Sequence, residues 1–193
     1  MAYTPQILAF SGSLREGSLN TRLVKQAAEG ALAAGAKVTM LNLRDLELPM
    51  FDEDCEAKIT LPPGGKRLKD LMRAHDGMLI ACPEYNGSIS GALKNAIDWA
   101  SRPEPDHPSL SCFAGKVVGL LSASPGALGG LRGLAHVRAI LSHVQSLVLP
   151  EQYGLMKAHE AFDAQGNLKD EKARGAAQAV GKAVASVIGR LRA

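Results

Sequence analysis

The stretch "QILAFSGSLREGSLNTRL", Gln6 to Leu23, changes character twice. Gln6–Phe10 reads as a buried strand. Ser11 to Asn20 is a loop rich in serine and glycine. From Asn20 to Ala34 the apolar residues Leu23, Val24, Ala27, Ala28 and Ala31 recur at the spacing of one helix face. Ser18 suits the N-cap of that helix, and Gly35 stops it.

The same unit repeats along the chain. Strands are expected at Lys37–Leu43, Gly77–Cys82, Gly115–Leu121 and Ser146–Leu149, and helices at Gly64–Ala74, Gly91–Ser101, Leu131–Gln145 and Leu168–Leu191. "RDLELPMFDEDCE", Arg44 to Glu56, reads as a loop broken by Pro49. Five strands alternating with helices predict an α/β fold, a parallel sheet covered on both faces. Five favour a flavodoxin-like three-layer α/β/α sandwich with strand order 2-1-3-4-5 over a six-stranded dinucleotide fold. Residues 1–193 are read as one domain. Ligands of such sheets bind beyond the carboxyl ends of the strands, where the strand order reverses. The loops after the first, third and fourth strands are therefore expected to carry the chemistry.

Composition narrows the function classes. The hydrophobic fraction is 46%, charged residues make up 21%, and the net charge is +3, which is globular and not disordered. Lysines and arginines are scattered, so no nucleic-acid surface is expected. Cys55, Cys82 and Cys112 form no CxxC pair, which argues against a zinc ribbon or dithiol centre and fits free thiols in a reducing compartment. The first apolar run is too short for a leader or membrane span, so a cytoplasmic protein without a membrane contact is expected.

The loop after the first strand offers the hydroxyls of Ser11, Ser13 and Ser18, the amide of Asn20 and the charged fork of Arg15. All suit phosphate oxygens, and the start of the following helix favours an anion as well. A capped turn explains the serines and glycines equally, but not the length of the loop or its arginine. No Gly-Lys-Ser/Thr ends the loop and no GxGxxG is present. A hydroxyl-rich loop without lysine or magnesium suits a terminal monophosphate, the group that FMN carries. After the third strand come Pro83, Glu84, Tyr85, Asn86 and Gly87. Asn-Gly imposes a turn, and Tyr85 adds an aromatic surface where exposed backbone N–H groups can meet a flavin edge. The loop after the fourth strand, "SASPGALGG" from Ser122 to Gly130, is made of small residues that let a planar ring approach the backbone, or of a flexible turn.

"GSLREGSLNTRL", "PEYNGSISGALKNAIDWASRP" and "SASPGALGG" together resemble the NADPH-dependent FMN reductase family, and within it the bacterial soluble quinone and chromate reductases. The resemblance extends over nearly the whole chain. It implies one non-covalent FMN per subunit, NAD(P)H as co-substrate, and dimers or tetramers with the flavin near a subunit interface. It places Ser11, Ser13, Arg15, Ser18 and Asn20 around the phosphate. Pro83, Glu84, Tyr85, Asn86 and Gly87 line the ring, and Ser122, Ser124 and Gly126 close the remaining side. It implies hydride transfer from NAD(P)H to FMN and onward reduction of quinones, free flavin, azo dyes or oxyanions such as chromate. No side chain is needed as acid or base, so no catalytic residue and no metal is expected.

Other features have plainer readings. His136 and His143 share a helix face and suit a surface or interface better than a metal. Cys82 ends a core strand as a small hydrophobe. Trp99 suits packing, and Asp98 suits a hydrogen bond across a subunit contact. A flavodoxin-type electron carrier is the alternative, though carriers of that kind are acidic and aromatic-rich, and this chain is slightly basic with 4% aromatics. A serine hydrolase using Ser13 lacks a histidine in the three loops.

Overall fold

The computed structural model describes residues 3–193. In chain order the elements are β1 (Gln6–Ser11), α1 (Leu19–Ala33), β2 (Lys37–Asn42), α2 (Glu53–Ile59), α3 (Pro63–Ala74), β3 (Gly77–Ala81), β4 (Glu84–Tyr85), β5 (Ser88–Ile89), α4 (Gly91–Ser101), β6 (Val117–Ala123), α5 (Leu131–His143), β7 (Leu147–Leu155) and α6 (Glu171–Leu191). Five strands pair in parallel in the order β2-β1-β3-β6-β7. Setting aside the short β4-β5 hairpin, this is the expected order 2-1-3-4-5.

The strands sort their side chains by alternation. In β1, Ile7 and Ala9 face a core shared with α1 and α6, while Leu8 and Phe10 face a second core beneath α3, α4 and α5. Every residue of β3 and β6 is buried, the continuous apolar run expected of a strand covered on both faces. On the first side α1 and α6 cross at glycines. A Cβ on Gly30 would overlap the Gln178 carbonyl, and one on Gly181 would overlap that of Ala27. The two backbones thus approach more closely than larger residues permit.

Several sequence-based boundaries move; the terminal helix starts at Glu171 and not at Leu168, because the Asp170 side chain caps it. The stretch read as a loop at 44–56 holds a 3-10 turn, Leu43–Leu46, and most of α2. Both are started by side-chain caps. Asn42 Oδ1 accepts from the Arg44 N–H, and Asp52 Oδ1 accepts from the Cys55 N–H, with Glu53, Asp54 and Glu56 favouring the positive end of α2. The fourth sheet strand starts later, because Gly115 at φ +71° makes the turn before it. It runs on through Ser122 and Ala123. The last strand runs past Pro150 to Leu155. Its pairing with β6 shifts register between Val118 and Leu120, and the proline sits in that irregularity, where a missing N–H is tolerated.

The order reverses between β1 and β3. The carboxyl ends of β1, β3 and β6 lie side by side there, and the three expected loops meet.

Candidate functional site

The loop after β1 is shaped by its own serines. Ser11 Oγ accepts from the Ser13 N–H at 3.1 Å, Ser13 Oγ from the Arg15 N–H at 3.2 Å, and Ser18 Oγ caps α1 by accepting from the Thr21 N–H at 3.4 Å. Each hydroxyl thereby keeps its own O–H to donate. The backbone N–H groups of Leu14, Glu16, Gly17 and Ser18 meet no acceptor among the described residues. Gly17 has φ +66°, which turns the chain into the helix. Free amides, spare hydroxyls and a helix start converge on one concave loop, which is the donor set of an oxyanion site. Arg15 is exposed at its rim, with only a 3.5 Å contact to the Gly17 carbonyl.

After β3 the chain forms a β-hairpin. Asn86 and Gly87 take φ of 52° and 78°, the left-handed pair of a tight two-residue turn. Glu84 pairs with Ile89 and Tyr85 with Ser88. The hairpin is pinned to α5 by three polar contacts. The Glu84 carboxylate accepts from Arg132 Nε at 3.0 Å and from the Gly133 N–H at 3.1 Å, and Ser88 Oγ lies 2.9 Å from His136 Nδ1. Tyr85 is left 52% exposed, with its ring free at the mouth of the cleft.

These two segments and the end of β6 enclose a cleft of about 220 Å³. Ser13, Arg15 and Ser18 form one wall, Pro83, Glu84 and Tyr85 a second, and Ala123, Ser124 and Pro125 a third. The cleft has phosphate donors at one end and small or aromatic walls at the other. That is the profile of a phosphate ester carrying a flat ring, and the residues present fit FMN.

Several expected contacts are replaced by structural ones. Asn20 borders the cleft, and each end of its amide makes one bond to Ala123. Nδ2 donates to the carbonyl at 2.9 Å and Oδ1 accepts from the N–H at 2.8 Å. Asn20 is therefore a brace between the first and third loops, and the second N–H of its Nδ2 stays available to the cleft it borders. Ser122 is fully buried and donates to the Cys82 carbonyl at 2.6 Å, tying β6 to β3. The Glu84 carboxylate is turned to α5. Asn86 and Gly87 form the hairpin tip, and Gly126 lies beyond the cleft wall, its N–H bonded to Ser124 Oγ at 3.2 Å. Ser11 lies behind the loop and shapes it through Ser13.

The structure also adds residues that the sequence did not mark. Arg44 donates from both Nε, at 2.8 Å, and Nη2 to the Leu14 carbonyl, and Ser90 Oγ donates to the Gly12 carbonyl at 2.5 Å. Both hold the loop after β1 from outside. On α4, Asn95 accepts from the Phe51 N–H and donates to the Pro49 carbonyl, which also receives Trp99 Nε1–H. The i, i+4 spacing of Asn95 and Trp99 was the available signal. Trp99 is buried edge-on to Phe51. Asp98 pairs with Lys94 on its own helix at 2.7 Å. Cys82 is fully buried, and burial, with the nearby Glu84 charge, pushes its thiol up to about 12. It stays protonated and is not a nucleophile.

A family model described as NADPH-dependent FMN reductase matches residues 5–160. An NAD(P)H-dependent FMN reductase of Pseudomonas aeruginosa is 40% identical over 189 residues, covering 97% of each chain. A quinone reductase of Escherichia coli K12 is 34% identical over 168 residues, covering 86% of each. Among solved structures, the flavoenzyme NAD(P)H:(acceptor) oxidoreductase FerB of Paracoccus denitrificans superposes with a TM-score of 0.78 at 30% identity, covering 97% of this chain and 98% of its own.

Proposed function

Because the chain belongs to the NADPH-dependent FMN reductase family, we propose that FMN lies in the cleft with its phosphate on the Ser11–Ser18 loop and its ring toward Pro83, Tyr85 and Ser124. The protein is an FMN-dependent NAD(P)H oxidoreductase. Hydride uptake from NAD(P)H and electron delivery to an acceptor are supplied by FMN when it is bound.

The chain's own residues do the rest. The Ser13 and Ser18 hydroxyls and the free loop amides donate to the phosphate, and Arg15 adds a charge-assisted contact. Ser11 and Arg44 keep the loop in shape for that task. Asn20 and Ser122 fix the end of β6, so that Ser124 and Pro125 stand at a set distance from the loop. Pro83 offers no N–H, which leaves an apolar wall beside the ring. Tyr85 stands over the mouth and shapes the face that nicotinamide and acceptor share.

A quinone is the proposed acceptor, by likeness to the relatives named quinone reductase. Free flavin, azo dyes and chromate are reduced at the same open face. We read residues 1–193 as one FMN-binding domain working in the cytoplasm as a dimer or tetramer. No helix among the described residues is long and apolar enough to cross a membrane. The exposed Tyr85, Leu128 and Leu131 beside the cleft suit a subunit contact near the flavin.

The observation that carries the reading is the convergence of unspent phosphate donors and the Tyr85 hairpin on one cleft. The test is to purify the protein, record its visible spectrum, and follow NADPH and NADH oxidation with and without a quinone. A flavin spectrum and quinone-dependent oxidation are expected. Bound FMN without nicotinamide oxidation is the behaviour of an electron carrier and overturns the enzymatic reading. A colourless protein that does not take up added FMN overturns the cofactor.

A further inference from the structure

A second, larger groove adjoins the cleft and shares Ser13, Arg15 and Ser18 with it. Its volume is about 470 Å³, within the ~300–1,000 Å³ range of small-molecule sites. The loop forms one wall of it, Thr21, Arg22 and Lys25 of α1 the floor, and Met40 to Asn42 of β2 the far wall. None of these α1 and β2 residues is used by the cleft.

Three cations face this groove without a counter-ion. Arg15, Arg22 and Lys25 form no ion pair among the described residues, whereas Lys66, Arg73, Lys94, Arg102 and Arg132 do. Arg22 lies against the Phe162 ring, 5.9 Å from its centroid, which holds the stem and leaves the guanidinium edge free. Arg22 and Lys25 are three apart on α1, so they stand on one face. The carboxylates nearby are less free. Asp45 accepts from the Asn42 amide, and Glu29, beside Lys25 in the continuation of the groove, accepts from Gln26 and Gln178. Glu16 alone remains unspent. On the opposite wall Met40, 45% exposed on the edge strand, offers an apolar surface beside the polar Asn42. A dianion spanning two cations, beside a flat apolar group on a methionine, is the chemistry of a phosphorylated purine nucleoside.

We propose that this groove binds the adenosine 2′-phosphate end of NADPH, with Arg22 and Lys25 on the phosphate and Met40 under the purine. The proposal rests on the reading of the cleft as the FMN site, and it makes NADPH the preferred co-substrate over NADH. The two nucleotides differ only in that phosphate, so the preference comes from the groups that meet it, here Arg22 and Lys25.

The test titrates the FMN-loaded protein by calorimetry with 2′,5′-ADP and with ordinary ADP, which carries both phosphates at the 5′ position. The titration reads the groove without turnover. Tighter binding of 2′,5′-ADP by about tenfold is expected, the order of one charge-assisted contact. The gap should close in an Arg22→Ala, Lys25→Glu double variant. In that variant KM for NADPH should rise about tenfold, while FMN content and NADH oxidation hold. Equal binding of the two ligands overturns the proposal, as does an unchanged NADPH KM in the variant. Displacement of FMN by 2′,5′-ADP assigns the cations to the flavin phosphate and overturns it too. A wild-type protein that holds FMN and oxidises NADH, but shows no gap, sinks this inference alone and leaves the flavin reading standing.

Discussion

The Ser11–Ser18 loop and the Glu84–Ile89 hairpin meet in one cleft and are held there by different means. Within the loop, the shaping hydrogen bonds run to residues two or three positions away: Ser11 to Ser13, Ser13 to Arg15, Ser18 to Thr21. The hairpin closes its own turn at Asn86-Gly87, but its position comes from α5, nearly fifty residues later in sequence. A loop shaped by its own bonds and braced from outside by Arg44 and Ser90 presents a fixed set of donors before anything binds. A hairpin docked by a carboxylate and a histidine moves as a unit when that docking changes. The difference suits a rigid anchor for a phosphate and an adjustable wall for a ring and its changing partners.

The largest effect is expected where the loop after β1 is tied to the end of β6. Asn20→Ala leaves the N–H and C=O of Ala123 buried without partners. Unsatisfied groups of that kind are destabilising, and a loss of about 2–4 kcal/mol is expected in urea unfolding. A wild-type midpoint would show that the end of β6 is held without Asn20. Next comes Arg15→Ala, which removes a charge-assisted contact worth about 1.5–3 kcal/mol of FMN affinity. Because Arg15 is exposed and unpaired, the stability of the apoprotein should not change. Flavin titration and unfolding of the same variant check both halves, and an unchanged Kd for FMN would detach Arg15 from the phosphate.

Glu84→Gln probes the hairpin. It removes the ion pair with Arg132, which is 62% exposed and so contributes little, and weakens the bond from the Gly133 N–H. A loss of about 1–2 kcal/mol is expected, with faster amide exchange confined to residues 84–89 and to the start of α5. Faster exchange in the Ser11–Ser18 loop as well would mean that the two regions are not independent. The smallest effect is that of Gly87→Ala. Its φ of 78° disfavours a Cβ by about 1 kcal/mol, so the melting temperature should fall slightly and FMN affinity should be preserved.

The contrast also explains what was legible. Apolar spacing gave away Gln6–Phe10 and the helix after it, since periods of two and 3.6 are properties of the chain itself. Asn86-Gly87 announced its turn because few residues tolerate left-handed φ. Ser11, Ser13 and Ser18 were legible as a group, since their partners lie within three residues. Asn20 and Ser122 looked equally like ligands, and only the position of β6 shows that Ser122 is bonded to the Cys82 carbonyl and that Asn20 also braces Ala123. The 44–56 stretch hid a 3-10 turn and α2 because both are too short to show a period and Pro49 separates them. Its place in the fold depends on Asn95 and Trp99 of α4.

The sequence by itself therefore determined the five sheet strands, the five longer helices, their order and the turn at Asn86-Gly87, because short-range sterics, periodicity and capping act within a few residues. Tertiary structure alone decided which polar side chains face the cleft, how the hairpin is seated on α5, and that Arg22, Lys25 and Met40 line one groove beside the phosphate loop. Those outcomes depend on which distant backbone groups a side chain meets when the sheet closes, and spacing along the chain carries no record of that.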